Sequence, residues 1–405
     1  MQKCVAVLGG GIGGLSACYY LSKSTHVSKV VLLEATGRFG GWINTTRRED
    51  GAVFEHGPRG VRPAGAVGRN TLNMWSGENC ASIFQSHHPQ CDEGGPGEEG
   101  ERRRMSLFTS FMSRRFGSEL ADIAMDCLCR GVFAGDSRKL SVRSCFPPLH
   151  RAEQDRGSVL LGLLLSGGEK VGAGGTSALA RRAKAESWSQ WSLTDGMQTL
   201  PDALQEVLRG HERVELHHSA PIRTLTYTAG GWEFISHHSL NRLNCRTEQT
   251  LNADHVISAL PASVLASLLP PAATSLSQLL CEINTVSVGM VNLEYEGSVL
   301  PVTVMMGGAW FEETLGPPDE VKDQVLLDRA LQAVRSHLNI TSSPVWSKAA
   351  VLKNCIPQYH LGHWKRLDGD EAETSRNGAV SRVTSGSALM SSVLSHGRLF
   401  KNISL

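Results

Sequence analysis

Glycines at 9, 11 and 14 spell G-x-G-x-x-G, and Glu34 follows 20 residues after the last of them. That spacing suits a dinucleotide. Gly9 permits a tight turn, Gly11 lets backbone approach a pyrophosphate, and Gly14 lets a helix pack against its strand. The run Gly9, Gly10, Gly11, Ile12, Gly13 and Gly14 would aim unpaired N–H groups and the positive end of a helix dipole at phosphate oxygens. Glu34 is placed to accept from ribose hydroxyls. Beyond it, Arg38-Phe39-Gly40-Gly41-Trp42 is a second signal. Its glycines let the loop lie along a nucleotide, and Arg38 can pair with phosphate. A third loop, His56-Gly57-Pro58-Arg59-Gly60, offers backbone donors and a cation to a bound ring. For Arg38 and Arg59 the plainer alternative is a solvated arginine on an ordinary turn.

These residues need a scaffold, and the flanking pattern supplies one. The apolar run Cys4 to Leu8 suggests a buried parallel strand. A helix from about Leu15 to Ser22 follows, then a second strand from Lys29 to Leu33, closed by Glu34. This is a βαβ unit with its acid in register. The extra glycine loop at Gly57–Gly60 fits FAD better than NAD, because an NAD dehydrogenase would not need it. No Ser-His-Asp, zinc or P-loop pattern competes. No catalytic side chain and no metal ligand is assigned.

Further along, Leu107 to Cys129 has helical spacing, and Arg130 to Gly135 reads as a glycine-flanked turn. Ser158 to Leu165 suggests a short apolar helix, and Gln198 to Arg209 a longer one. One strand is expected over Val214–Leu225, with Pro221-Ile222 in its middle. A hairpin turns at Gly230-Gly231-Trp232, and Ala253 to Leu260 returns to the dinucleotide sheet. Strands at Val286–Tyr295 and Val302–Met306 and a helix at Asp319–Leu338 complete a second domain.

A chain of 405 residues with 41% hydrophobic and 20% charged side chains can build two or three domains with real cores. Its net charge of +1 argues against a nucleic-acid partner, whose phosphates would have to be neutralised. Ten cysteines without a C-x-x-C pair suit reduced thiols. No cleavable presequence is seen before the first strand. The longest apolar run, Val159 to Leu165, is too short to cross a bilayer, which leaves a soluble or monotopic protein.

Several motifs go beyond a generic nucleotide fold. They are VLGGGIGGL, the E-x3-R-x-G-G-W that follows, and HGPRGVRPAG; later come MDCLCRGVFAGDSRKLSVRSCFP, AESWSQWSL, ADHVISALPASVL and KNCIPQYHLGHW. On these the chain resembles the protoporphyrinogen oxidases of the animal type, within the flavin amine oxidase superfamily. The likeness covers residues 1–72, roughly 106–300, and 301–367.

The resemblance implies an α/β protein: a Rossmann-type FAD-binding domain, a second mixed-sheet substrate domain and an inserted, mostly helical region. It places FAD-binding segments at 1–72 and 193–265, a helical membrane-binding-like region at 105–192 and a substrate domain at 266–367. It implies oxidation of protoporphyrinogen IX to protoporphyrin IX in haem biosynthesis, with O2 as acceptor and hydrogen peroxide released. It also implies a homodimer in peripheral contact with the mitochondrial inner membrane, on the intermembrane-space side. The backbone of Ile222 would meet the adenine end of FAD. Gly131 would lie near substrate, or else cap a helix. Met305 would line the substrate pocket, or else be plain core. Arg59 would partner a propionate or the flavin.

Three stretches depart from the family pattern. Residues 73–104 turn Gly/Glu/Arg-rich where the family has a longer helical segment bearing an arginine that faces substrate, and this composition suggests disorder. The link between the strands at 286–295 and 302–306 is shortened. The tail at 368–405 is Ser/Gly/charged where the family has a second glycine-rich return to the flavin, and disorder is expected there too. These gaps raise an alternative: a truncated, catalytically impaired member that holds FAD weakly or not at all.

Overall fold

The computed structural model describes residues 3–61, 107–157, 178–188, 190–228, 231–239, 246–297, 301–364 and 380–381. Two compact units divide the chain: residues 1–89, 171–282 and 368–405 in the first, 90–170 and 283–367 in the second. The division near residue 170 falls inside the segment 105–192 expected to be one helical region. In chain order the strands are β1 (Lys3–Leu8), β2 (Val27–Leu33), β3 (Thr45–Arg47), β4 (Val53–Glu55), β5 (Val214–His217), β6 (Ile222–Thr228), β7 (Gly231–Ser239), β8 (Arg246–Ala253), β9 (His255–Ser258), β10 (Thr285–Glu294), β11 (Val302–Gly308), β12 (Trp346–Pro357) and β13 (Val380–Ser381). The α-helices of four or more residues are α1 (Ile12–Ser22), α2 (Phe108–Phe116), α3 (Asp126–Phe133), α4 (Val142–Cys145), α5 (Pro147–Arg156), α6 (Ala178–Ala185), α7 (Thr199–Arg209), α8 (Ala262–Leu268), α9 (Thr274–Cys281), α10 (Phe311–Leu315) and α11 (Asp323–Leu338).

The first unit is built on a five-stranded sheet in the order β13-β9-β1-β2-β5, parallel throughout. β1 and β2 end in unbroken apolar runs because both faces of a parallel sheet are covered. Val5, Val7, Leu32 and Ile257 meet Leu15, Cys18 and Leu21 of α1 and Leu204 and Leu208 of α7 in one core. Each fully buried aliphatic side chain there stabilises the fold by about 1.5–3 kcal/mol. β6, β7 and β8 form a separate antiparallel sheet, and β3 pairs with β4. All the parallel strands end on the same side, so Gly9, Glu34 and Ala259 emerge together.

The expected single strand over 214–225 is two strands in different sheets. Ser219 takes a left-handed conformation (φ 54°), Pro221 has no N–H to give a ladder, and the chain turns there. Ser219 N–H donates to the Thr36 carbonyl at 2.7 Å, and Ala220 N–H to the Glu34 carbonyl at 2.9 Å. The tail also departs from expectation. Val380 and Ser381 pair in parallel with Val256 and Ile257, so disorder does not extend to that pair; the other residues of 368–405, like 73–104 and the expected helix at 158–165, lie outside the described residues.

In the second unit β11, β10 and β12 form an antiparallel sheet. Leu326, Ala330 and Val334 of α11 cover Val291 and Leu293 of β10. α11 starts at Asp323 rather than Asp319, because the chain after Pro317-Pro318 first makes a turn. A helical cluster centres on Phe108, Phe111, Met112, Ala121, Cys129 and Leu140. The turn expected over 130–135 is instead the last turn of α3, entered through a π-helical turn at Ala121–Met125. Its left-handed cap is Ala134 (φ 50°), not Gly131.

Candidate functional site

The glycine loop closes as its spacing demands. Gly9 leaves β1 with φ +99°, and its N–H donates to the Leu33 carbonyl at 2.8 Å. A Cβ on Gly14 would sit 1.9 Å from the Gly9 carbonyl oxygen, so the helix lies directly on the turn. Gly10 is sealed from within, since a Cβ there would strike the Phe39 ring at 2.5 Å. At Gly11 the surroundings open: a Cβ would meet only the Gly41 Cα, at 3.8 Å. α1 has Gly11 as its N-cap, which provides no side-chain cap. Its first N–H groups are left for an anion, favoured by the helix dipole.

Glu34 is half-buried and braces this loop. One carboxylate oxygen accepts from Gly10 N–H at 2.7 Å; the other accepts from Thr36 N–H and the Thr36 hydroxyl, both at 2.8 Å. The oxygen that accepts from Gly10 keeps a further acceptor position, so bracing does not exhaust the carboxylate.

Arg38 is engaged within its own loop. Its guanidinium donates to the carbonyls of Gly41 at 2.5 Å, Ile43 at 3.0 Å and Phe39 at 3.3 Å, within its own loop. Gly40 and Gly41 both have positive φ, and the tight coil turns these carbonyls inward, where a donor fork satisfies them. The loop then docks on the first one: Gly40 N–H donates to the Gly10 carbonyl at 2.8 Å.

The loop at Gly57, Pro58, Arg59 and Gly60 runs alongside. A Cβ on Gly57 would lie 1.9 Å from the Trp42 carbonyl oxygen, and one on Gly60 would lie 2.8 Å from that of Trp191. Val61 and Trp191 exchange two backbone hydrogen bonds of 2.8 Å. Trp42 and Arg59 are exposed. Desolvation pushes the Arg59 guanidinium below its ordinary value and the Glu55 carboxylate pulls it back up; it stays charged at neutral pH. Ile222 opens β6, just after the Ser219–Ala220 contact with the Glu34 loop. Gly9 and Glu34 therefore lie at the carboxyl edge of the parallel sheet, where open α/β sheets bind ligands, with the Arg38 loop docked on Gly10 and Ile222 just beyond the contact with the Glu34 loop.

Gly131 and Met305 belong to the second unit. Gly131 is exposed in α3, with nothing within 4 Å of where a Cβ would lie. Met305 is 53% exposed on β11, so it is not plain core.

Three residues beyond the expected site residues also contribute. Ala259 and Leu260 meet Gly9, the Ala259 carbonyl oxygen lying 3.0 Å from where a Cβ would be. Glu55 accepts from Met197 N–H at 2.6 Å and from the Thr45 hydroxyl at 2.9 Å. Met197 is remote in sequence and Thr45 faces Glu55 across the β3–β4 hairpin, so no local motif announces it.

Comparison with known proteins fixes the family. Residues 103–302 match the family described as flavin containing amine oxidoreductase, and residues 7–76 match the NAD(P)-binding Rossmann-like domain. The protoporphyrinogen oxidase of Bos taurus is 39% identical over 91% of this chain and 90% of its own length. The chain belongs to the protoporphyrinogen oxidase family. The Homo sapiens protoporphyrinogen oxidase also shows 39% identity over 91% and 90% of the two chains, and that of Schizosaccharomyces pombe 26% over 92% of each. The alignments with Bos taurus and Homo sapiens run to 443 and 447 positions, more than the 405 residues present, so stretches of those relatives have no counterpart in this chain. Among solved structures, an Exiguobacterium protein provisionally named a protoporphyrinogen oxidase matches with TM-score 0.71 at 18% identity, covering 100% of this chain and 99% of its own. A putrescine oxidase matches with TM-score 0.56 at 17% identity, covering 98% and 97%. These two likenesses are of fold.

The family makes FAD the dinucleotide, and the first unit fits it. The open face at Gly11, the uncapped start of α1 and the acid at Glu34 are a cradle that side chains at those glycines would fill.

Proposed function

We propose that this protein oxidises protoporphyrinogen IX to protoporphyrin IX with O2, in haem biosynthesis. The identity of 39% with two animal protoporphyrinogen oxidases over nine-tenths of both chains carries the assignment. The intact glycine cradle supports it. When bound, the flavin supplies the electron-pair acceptor. The chain's own residues bind and orient. The N–H groups at the start of α1, from Gly11 to Gly14, hold the pyrophosphate. Glu34 fixes Gly10 and offers its remaining acceptor position to ribose. Arg38 keeps the Gly40–Gly41 loop coiled beside Gly11. Ile222 offers backbone to the adenine end. Gly131 and Met305 present an open, apolar surface to a flat macrocycle. No side chain is assigned as acid or base, since the macrocycle can tautomerise by itself. No helix among the described residues is long and apolar enough to cross a membrane. A homodimer in peripheral contact with the mitochondrial inner membrane follows from family likeness alone.

Porphyrin fluorescence tests the reaction: protoporphyrinogen added to the aerated protein gives fluorescence faster than its spontaneous oxidation. A rate equal to the buffer control refutes the assignment. Arg59 has its own test. As an exposed cation beside Gly57 and Gly60, it contributes a partly screened ionic contact, so Arg59→Ala lowers kcat/KM by about tenfold. If flavin content and turnover are both unchanged in that variant, Arg59 has no role at the site.

A further inference from the structure

We infer that Arg130 is a carboxylate-recognition residue of the second unit, presenting its guanidinium to a propionate of the substrate. This rests on the porphyrinogen assignment above. Arg130 is anchored on two sides. Its Nε donates to Asp126 at 2.6 Å, and its guanidinium carbon lies 3.8 Å from the centre of the Trp310 indole. Asp126 is itself held: it is 7% exposed, and its other oxygen accepts from the Ser137 hydroxyl at 2.7 Å, which in turn accepts from the Thr109 hydroxyl at 2.9 Å. Burial alone would raise the Asp126 carboxyl, but hydrogen bonds from Ser137 and Arg130 outweigh it and hold it below its usual range. It therefore stays charged near neutral pH, and the chain Thr109–Ser137–Asp126–Arg130 does not loosen there.

Anchoring leaves the guanidinium usable. The Arg130 side chain is 50% exposed, and Asp126 engages Nε, leaving the terminal nitrogens as a planar fork that suits a carboxylate. The plainer role is a helix ion pair of the i,i+4 kind. Two facts go beyond it. Gly131, next in the chain, has open space where any other residue would carry a side chain. Trp310 closely follows β11, and β11 carries the exposed Met305. The two elements are tied, because Ala309 N–H, just after β11, donates to the Ala134 carbonyl at 2.8 Å; the end of β12 also holds α3, through the Gln358 amide donating to the Phe133 carbonyl at 3.0 Å. A guanidinium fixed by a buried acid and an aromatic face loses little freedom on binding, which is what a recognition site needs.

The test compares free acid with ester. Protoporphyrin IX and its dimethyl ester are titrated against the holoprotein by quenching of porphyrin fluorescence, and KM is measured for protoporphyrinogen and its dimethyl ester. Arg130→Ala weakens binding of the acid and raises its KM by about tenfold, leaves the ester unaffected, and retains flavin. Arg130→Lys, which keeps charge without the fork, falls between, and serves if the alanine variant does not fold. Trp310→Phe, which keeps an aromatic face, behaves as the parent, whereas Trp310→Leu shows part of the loss. Equal losses for acid and ester would reduce Arg130 to a structural role, and no loss for the acid would overturn the inference. Failure of the parent protein to turn over either substrate would count against the proposed reaction instead, and the binding titration would still judge Arg130.

Discussion

Gly14→Ala abolishes flavin retention. The added Cβ would lie 1.9 Å from the Gly9 carbonyl oxygen and 3.1 Å from its carbon. Both are backbone atoms of the turn that ends β1, so no rotamer change relieves the overlap. α1 must retreat from the sheet, yet Leu15, Ala17, Cys18 and Leu21 hold it there in a close-packed core. The strain costs about 3 kcal/mol, toward the upper end for overpacking, and the retreating helix carries its phosphate-binding N–H groups with it. The ratio of flavin to protein absorbance after gel filtration should fall to background, with a lowered Tm. Gly210→Ala is the control, because its Cβ would meet nothing nearer than 3.7 Å; it keeps its flavin. A yellow Gly14→Ala protein would mean that α1 does not rest on the Gly9 turn.

Glu55→Ala separates the two halves of the cofactor unit. The Glu55 carboxylate ties the end of β4 to the Met197 amide, at 2.6 Å, and to the Thr45 hydroxyl, at 2.9 Å. Gly196, with φ +83°, is pressed against Thr45 and Glu55, so the turn leading into α7 rests on this side chain. Hydrogen bonds to a charged group are worth about 1.5–3 kcal/mol, and the Met197 amide loses its partner. The expected result is a flavin Kd raised about tenfold or more, measured by fluorescence of released FAD, with a lower Tm. Glu55→Gln, which keeps an acceptor, recovers part of the loss. Equal behaviour of the Ala and Gln variants would show that the charge at position 55 matters rather than an acceptor of the right length.

Legibility in the sequence followed how local the physics is. Gly9, Gly11, Gly14 and Glu34 were readable because one βαβ unit contains every partner, and the sheet order places them on one edge. The contacts of Arg38 within its own loop are not legible, because the convergence of three carbonyls on the guanidinium depends on the positive φ of Gly40 and Gly41. The break at Pro221 is hidden because alternation continues across it; Ser219 turns the chain by hydrogen-bonding to Thr36, which is remote in sequence. The end of α3 is hidden for a related reason. Gly131 looks like a terminator, but the left-handed cap falls on Ala134, which the docked end of β11 holds in place. β13 had no signal, since two residues of a polar tail gain strand character only from the edge that β9 presents.

The flavin content of the purified protein, taken together with its turnover of protoporphyrinogen under air, is the most direct measurement. One FAD per chain, with porphyrin fluorescence rising above the spontaneous rate and hydrogen peroxide accumulating alongside, is the result predicted by an intact cradle in this family. A colourless protein that takes up no added FAD and does not accelerate porphyrin formation would contradict it.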